Sequence, residues 1–289
     1  MDEQQFTVVI DSKPRILDLK LRETLRYRDL IFLFVRRNFV AGYKQTLLGP
    51  AWALIKPLMT TVVFTIIFGN LARLTTSDLP GDAANIPGFL YYMIGTLTWS
   101  LFASCLTSTS GTFLSNAGIL GKVYFPRLVM PVAGIFSCFV NFGIQFAMFL
   151  VFWLFYVIRG GTDISLTPWL LLVPVMWLQL MLLGLGFGLI IASMTTKYRD
   201  LNMLVGFGMQ LWHYGTPVAY GLALIPEKWQ ALYMINPVTP ILLLMRKAFF
   251  GVGVFEPLFY ALSWVWTAVV VFIGLLLFNR IEKTFMDTI

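Results

Sequence analysis

Residues 36–58 read RRNFVAGYKQTLLGPAWALIKPL, and this stretch decides the fold class of the chain. It begins with two arginines, breaks at Gly49 and Pro50, and continues as an apolar segment. Basic residues favour the head-group region of a bilayer, and proline is common in the first turn of a helix. The stretch therefore predicts that the chain enters a membrane directly after Pro50.

The composition of the whole chain is typical of an integral membrane protein. Of its 289 residues, 58% are hydrophobic and 12% are charged, whereas a soluble domain carries about 25% charged residues. The net charge of +7 does not indicate nucleic-acid binding, because the basic residues lie beside apolar stretches, where anionic lipids are nearer. Cys105 and Cys138 lie in apolar runs, so we expect neither a disulfide nor a metal site.

Six apolar stretches are long enough to cross a bilayer, which takes about 20 helical residues. They are residues 50–71, 87–107, 128–158, 169–194, 201–223 and 257–279. The third is longer than a span requires, so we expect it to be tilted, broken near Pro131 or partly outside the bilayer. The predicted fold class is an all-α integral membrane protein with six transmembrane helices.

The region before the first span predicts an amphipathic helix in the membrane interface. Apolar residues recur there on one face, and arginines occupy the adjacent face, as the spacing of Leu21, Leu25, Phe32, Val35 and Phe39 indicates. The alternative is a solvated helix packed on a soluble domain. We therefore divide the chain into a cytoplasmic lead-in with an interface helix, residues 1–47, and a six-span membrane domain, residues 48–289.

The distribution of basic residues predicts the orientation. If both termini and the second and fourth connections share one side, that side holds sixteen Lys and Arg residues and the other holds five, which together account for all 21. The positive-inside rule then places both termini in the cytoplasm.

The connection between the fifth and sixth spans, residues 222–256, is apolar but interrupted by prolines and by Arg246-Lys247. We expect short helices that dip into the outer leaflet or cap the bundle. The alternative, a seventh span over residues 237–255, is disfavoured because it would place Arg246 and Lys247 near the middle of the membrane.

The chain offers no recognisable catalytic constellation. Its single histidine, His213, is more typical of a hydrogen-bonded residue inside a bundle than of a ligand. The sequence GILGK at 118–122 lacks the spacing and the Ser or Thr of a phosphate-binding loop. The sequence GLGFG at 184–188 predicts close helix packing.

Two features of the sequence allow more than one interpretation. Residues 113–127 could lie on the bilayer or dock into a cytosolic partner. The tyrosines and tryptophans of the second and fifth spans could pack in the bundle, or stack on sugar rings in a channel.

Four stretches, in chain order, resemble ABC transporter permeases of the polysaccharide and polyol-phosphate export family, the membrane subunits of O-antigen, capsule and teichoic acid exporters. The first is 36–58, with YKQT, LGP and Trp52. The others are KVYFPR at 122–127, YRDL at 198–201 with YGTPVAY at 214–220, and INP at 235–237 with Pro240 and Arg246. Together they run from the interface helix almost to the sixth span.

The resemblance implies a function in transport and none as an enzyme. Two copies would form a channel in the bacterial cytoplasmic (inner) membrane, and two separate ATPase subunits would hold ATP and Mg²⁺, so this chain itself would bind no cofactor. A lipid-linked glycan would enter from the cytoplasmic leaflet. The expected partners are a second copy, the ATPases, the glycan and membrane lipids, with no nucleic acid.

The resemblance also assigns roles to four sets of residues. The substrate entrance, which attracts a pyrophosphate, would be Arg36, Arg37, Tyr43 and Lys44. The channel-lining aromatics would be Trp52, Tyr91, Tyr92, Trp99, Trp212, Tyr214 and Tyr220. A cytoplasmic coupling helix at the ATPase would use Ser115, Asn116, Gly121, Lys122, Tyr124 and Arg127. Exterior gate helices would use Glu227, Asn236, Pro237 and Arg246.

Three alternatives remain open at this point. The first is a permease of the same fold that exports small hydrophobic compounds or drugs. The second is a membrane enzyme acting on a lipid-linked substrate, for which the polar residues within the spans form a poor catalytic set. The third is a channel gated without ATP, which the order of the four stretches disfavours.

Overall fold

In the computed structural model the chain folds into a bundle of helices. The structure describes residue 24 and residues 26–44, 46–71, 86–120, 123, 125–160, 167–195 and 200–284. Every regular element among them is helical, which confirms the all-α fold class. The helices are α1 (Arg28–Tyr43), α2 (Trp52–Phe64), α3 (Gly88–Ser110), α4 (Thr112–Leu120), α5 (Val129–Arg159), α6 (Val173–Thr195), α7 (Leu201–Tyr214), α8 (Glu227–Ile235), α9 (Val238–Phe250) and α10 (Pro257–Thr284).

Short irregular helices extend these elements. Turns of 3-10 helix precede α2 at Gly49–Ala51, α6 at Pro168–Leu172 and α8 at Leu222–Leu224, and a π-helix, Thr65–Leu71, follows α2. A helical segment therefore begins at Gly49, next to the predicted start of the first span at Pro50.

Among the described residues, five helical stretches are long and apolar enough to cross a membrane, and each matches one of the six predicted spans. They are Gly49–Phe68, Gly88–Ser110, Val129–Arg159, Pro168–Thr195 and Pro257–Arg280. The overlong third span is one continuous helix of 31 residues, so the alternative of a break near Pro131 is wrong. Pro131 lies in the first turn of α5, where backbone N–H groups have no partner within the helix and proline is tolerated.

The fifth predicted span, 201–223, is α-helical only as far as Tyr214. Its 14 residues cover about 21 Å, less than the roughly 30 Å of hydrocarbon in a bilayer. The helix ends there because Pro217 disfavours helical geometry at Thr216, whose hydroxyl instead donates to the Trp212 carbonyl at 2.9 Å. The chain from Thr216 to Ala219 is nevertheless buried.

The centre of the bundle is a stack of three helices, in which α6 packs between α3 and α10. A Cβ added at Gly188 would lie 2.4 Å from Cβ of Thr109 on α3, and one added at Gly186 would lie 2.7 Å from the backbone nitrogen of Val271 on α10. Gly274 of α10 is as close to Gly186. The close packing predicted for 184–188 is confirmed, because only glycine leaves room on both faces of α6.

Two short helices, α8 and α9, follow α7, as predicted for the connection before the last span. The alternative of a seventh span over 237–255 is not observed, because α9 ends at Phe250 and Gly251 caps it with a φ of +74°. Most of α9 is buried against the bundle, including Arg246.

Candidate functional site

At one end of the bundle, the predicted substrate entrance and the predicted coupling helix meet. Arg37 Nη2 on α1 donates to Asn116 Oδ1 on α4 at 3.2 Å. Asn116 is itself oriented by a hydrogen bond from its Nδ2 to the Thr112 carbonyl at 3.0 Å. The Arg37 guanidinium also lies 4.7 Å from the Phe34 ring centroid. Arg37 of the predicted substrate entrance and Asn116 of the predicted coupling helix are therefore in direct contact.

Buried phenylalanines support this contact. The rings of Phe34 on α1 and Phe125, which precedes α5, have centroids 5.9 Å apart. Phe113 on α4 stacks on Phe278 of α10 at 5.0 Å. These four side chains belong to one apolar cluster, so α1, α4 and α10 are packed as a unit at this end. The sequence analysis did not single out this cluster, because its members come from distant segments.

Polar contacts fix α1 on the long helix α5. The Tyr43 hydroxyl donates to Asn141 Oδ1 at 2.7 Å, and Asn38 Nδ2 donates to Ser137 Oγ at 3.4 Å. Partial burial raises the pKa of Tyr43, so its phenol stays protonated and keeps donating. The four-residue spacing of Ser137 and Asn141 was the available sequence signal for this contact.

The remaining residues of the entrance and coupling sets are placed differently. Arg36, Lys44 and Ser115 are exposed, and Arg127 is partly buried. Gly121, Lys122 and Tyr124 lie outside the described residues. Exposed cations at Arg36 and Lys44 remain accessible to an anionic ligand.

A second cluster joins α3, α6 and α7 through aromatic rings. Trp212 on α7 lies 5.0 Å from Phe102 and 5.1 Å from Phe187, while Trp99 lies 5.1 Å from His213. Aromatic contacts of this kind stabilise packing beyond the area that they bury.

This cluster is tied to the chain before α9 by hydrogen bonds. Trp212 Nε1 donates to Asn236 Oδ1 at 3.0 Å, and Asn236 Nδ2 donates to Thr216 Oγ1 at 2.9 Å. The neighbouring residue Pro237 is buried, and its carbonyl accepts a hydrogen bond from Ser263 Oγ at 2.7 Å. A predicted channel residue, Trp212, and a predicted gate residue, Asn236, thus bind each other.

The other predicted channel aromatics differ in exposure. Trp52 is 41% exposed and Tyr214 63%, whereas Tyr91, Tyr92 and Trp99 are buried within the single chain. Tyr220 is partly buried, and its hydroxyl donates to the Tyr214 carbonyl at 2.7 Å. Trp52 and Tyr214 therefore present the largest aromatic surface of the set.

Arg246 is the most buried charged side chain at the opposite end of the bundle, and Glu227 of the same predicted set is exposed. Arg246 Nη2 donates to the Val218 carbonyl at 2.6 Å, and Nη1 donates to the Tyr220 carbonyl at 3.3 Å. Gly95 makes this approach possible, because a Cβ there would lie 2.5 Å from the Val218 oxygen. No sequence pattern indicated that Gly95 had this role.

We expect the substitution Arg246→Met to destabilise the folded protein by about 1–3 kcal/mol, the cost of leaving buried hydrogen-bond acceptors unsatisfied. The loss would leave the Val218 and Tyr220 carbonyls without their donor. The melting temperature of the purified protein in detergent measures the effect. Lys228→Met, at an exposed position on α8, is the control and should leave the melting temperature unchanged; equal melting of both variants would contradict the proposed role of Arg246.

These features together define a class of protein. Several apolar spans surround buried aromatic and amide contacts, and exposed cations lie at one end. Among the described residues, no group of three or more His, Cys, Asp or Glu side chains could hold a metal ion. The chain is a multi-pass helical membrane protein.

The sequence profile of the ABC-2 type transporter family matches residues 29–250, and the chain belongs to this family. The match covers α1 to α9, including the α1–α4 contact and Arg246. Together with the similarity to O-antigen and polysialic acid export proteins, this match confirms the resemblance to polysaccharide export permeases, and the chain is a transport permease, not an enzyme. Permeases of this type work with ATPase partners.

Named relatives extend the comparison over nearly the whole chain. The O-antigen export system permease protein RfbA of Klebsiella pneumoniae is 25% identical over 273 residues, covering 94% of this chain and 99% of that protein. The polysialic acid transport protein KpsM of Escherichia coli is 22% identical, covering 83% and 89% of the two chains. The inner membrane transport permease YadH of Escherichia coli K12 is 24% identical, covering 73% and 85%.

Proposed function

We propose that two copies of this chain form the channel of an ATP-driven exporter that moves a lipid-linked polysaccharide out of the cytoplasm. The observation that carries the proposal is the similarity to an O-antigen export permease over 94% of this chain and 99% of the relative. The similarity to a polysialic acid transporter supports a polysaccharide substrate of some kind.

The path of the substrate begins at the exposed cations of α1 and the loop after it. Arg36, Arg37 and Lys44 would attract the pyrophosphate of the lipid-linked glycan through charge-assisted hydrogen bonds. The sugars would then stack on aromatic surface such as that of Trp52 and Tyr214, which are exposed in the single chain.

A second copy would cover apolar surface that a single chain leaves exposed. One face of α7 carries Met203, Leu204, Phe207 and Leu211, all more than half exposed. In this arrangement α7 and the buried irregular chain after it complete a sixth crossing, which places both termini in the cytoplasm of a bacterial cell. Residues 1–47 would form the cytoplasmic region and residues 48–289 the permease domain.

The chain would couple to its ATPase partners through α4 and the residues that follow it. ATP and Mg²⁺ would be bound by two ATPase subunits and not by this chain. The hydrogen bond between Arg37 and Asn116 would transmit a movement of α4 to the substrate entrance. At the other end, α8 and α9, with Glu227, Asn236, Pro237 and Arg246, would act as the gate.

Deletion of the gene tests the proposed substrate class. We expect loss of a surface polysaccharide, with the lipid-linked glycan accumulating in the cytoplasmic leaflet, because synthesis continues without export. Glycan gels and staining of intact cells measure both changes, and a plasmid copy of the gene provides the control. An unchanged surface glycan together with raised sensitivity to hydrophobic drugs would instead favour the export of small compounds.

A further inference from the structure

Arg246 brings a positive charge into the protein without a carboxylate partner. Its side chain is 1% exposed, two backbone carbonyls bind its Nη atoms, and its guanidinium carbon lies 3.8 Å from the Tyr91 ring centroid. Its Nε is buried and makes no hydrogen bond. No ion pair joins Arg246 to an acidic residue within the described chain. Because an unpaired buried charge is costly, this arrangement favours an anion from outside the chain.

A cavity of about 470 Å³ adjoins Arg246 and Tyr91. Its volume lies within the roughly 300–1,000 Å³ that is usual for small-molecule sites. Apolar side chains form much of its wall, among them Leu222, Ile225 and Leu243. The cavity therefore combines a cationic end with a surface suited to hydrocarbon.

One acidic side chain also lines the same cavity. Glu227, the first residue of α8, is exposed and lines it, as does Gln230. Gln230 Nε2 donates to the Ile225 carbonyl at 2.9 Å, which leaves the amide oxygen as a second acceptor. A ligand that fills the cavity would thus meet a guanidinium at the buried end and a carboxylate at the exposed end.

The position of the cavity indicates where such a ligand would come from. Trp229 and Leu232, on the same helix α8, are 50% and 57% exposed. An exposed tryptophan beside apolar surface is typical of the membrane–water interface, where phospholipid head groups lie.

We propose that this cavity binds one zwitterionic phospholipid, with its phosphate toward Arg246 and its ammonium group toward Glu227. The hydrocarbon chain next to the head group would lie along Leu222, Ile225 and Leu243. The site does not depend on which substrate the permease exports.

Native mass spectrometry of the delipidated, full-length permease tests this site. Phosphatidylethanolamine and phosphatidylglycerol with identical acyl chains would be titrated separately. We expect one tightly held phosphatidylethanolamine per chain, bound at least about tenfold more tightly than phosphatidylglycerol, which corresponds to 1.4 kcal/mol. The glycerol head group has the phosphate but no ammonium for Glu227.

Two substitutions at exposed positions separate lipid binding from folding. Glu227→Gln should reduce the preference for phosphatidylethanolamine to near unity, and Ala223→Trp should fill the cavity and weaken both lipids. Glu256→Gln is the matched control, because Glu256 is an exposed acid that does not line the cavity.

Equal binding of the two lipids by the wild-type protein would overturn the proposal, as would an unchanged preference in Glu227→Gln. Lipid binding that survives Ala223→Trp would place the lipid elsewhere on the bundle. In each of these cases the cavity would be an aqueous space beside a structural arginine.

Discussion

Replacement of Gly186 by leucine is expected to remove the folded permease from the membrane. A Cβ at this position would lie 2.7 Å from the backbone nitrogen of Val271 and 2.8 Å from the carbonyl carbon of Val270 on α10. Overpacking costs about 1–3 kcal/mol where side chains can move aside. Here the two nearest neighbours are backbone atoms, so α6 and α10 would have to separate along much of their length.

Fluorescence-detected size-exclusion chromatography of a fusion to a fluorescent protein measures this effect. We expect the monodisperse peak of Gly186→Leu to fall at least about tenfold, and Gly274→Leu to behave alike, since Gly274 faces Gly186. Gly143→Leu is the matched control, because an added Cβ at this glycine of α5 meets no atom within 4 Å. A normal peak for Gly186→Leu would show that the α6–α10 contact is looser than the structure has it.

The glycine sequence at 184–188 also shows how far sequence reasoning reaches. Residues four apart share a helix face, so Gly184 and Gly188 could be paired from their spacing, with Gly186 on the opposite side. The identity of the neighbours could not be predicted. That Gly188 faces Thr109 and Gly186 faces Val271 depends on the tertiary arrangement of α3, α6 and α10.

Five spans were predictable because about 20 consecutive apolar residues are a strong local signal. The end of α7 at Tyr214 was not predictable, because the sequence stays apolar beyond this residue. The Thr216 hydroxyl accepts a hydrogen bond from Asn236, twenty residues further along the chain. The turn after α7 is therefore stabilised by a contact from outside the predicted span.

The burial of Arg246 could not be read from the sequence either. The sequence places Arg246 on the exterior side of the membrane. It disfavours a seventh span, because that span would bury this arginine. In the fold, two carbonyls from the turn after α7 and the face of Tyr91 contact the guanidinium, while its Nε has no hydrogen-bond partner. A charge can thus be buried in a short helix when backbone acceptors from elsewhere meet it.

Reversing the charge at the substrate entrance is expected to stop export without preventing assembly. Arg36 and Lys44 are exposed, so Arg36→Glu and Lys44→Glu remove attraction for a pyrophosphate and add repulsion. A hydrogen bond to a charged group contributes about 1.5–3 kcal/mol, which corresponds to roughly tenfold to a hundredfold in affinity for each residue. Surface glycan should fall accordingly, while co-purification with the ATPase and its basal ATP hydrolysis stay unchanged.

Arg37 differs from Arg36 and Lys44, because it also binds Asn116 on the predicted coupling helix. Arg37→Glu would change the charge and break this contact, whereas Asn116→Ala breaks the contact and leaves the charge. If the bond transmits movement from α4, Asn116→Ala should lower export per ATP hydrolysed and preserve binding of the lipid-linked glycan. A loss of glycan binding in Asn116→Ala would instead show that the asparagine only positions Arg37 for the substrate.

The controls for the entrance must also exclude inverted topology, because Lys and Arg orient membrane spans. A reporter fused to the C-terminus establishes the orientation of each variant, and Arg159→Glu, on an exposed residue at the end of α5, gives the same change of charge at the opposite end. The expected order of export is wild type and Arg159→Glu together, with Arg36→Glu and Lys44→Glu far below. Normal export by correctly oriented Arg36→Glu and Lys44→Glu would mean that these cations set topology and do not contact the substrate.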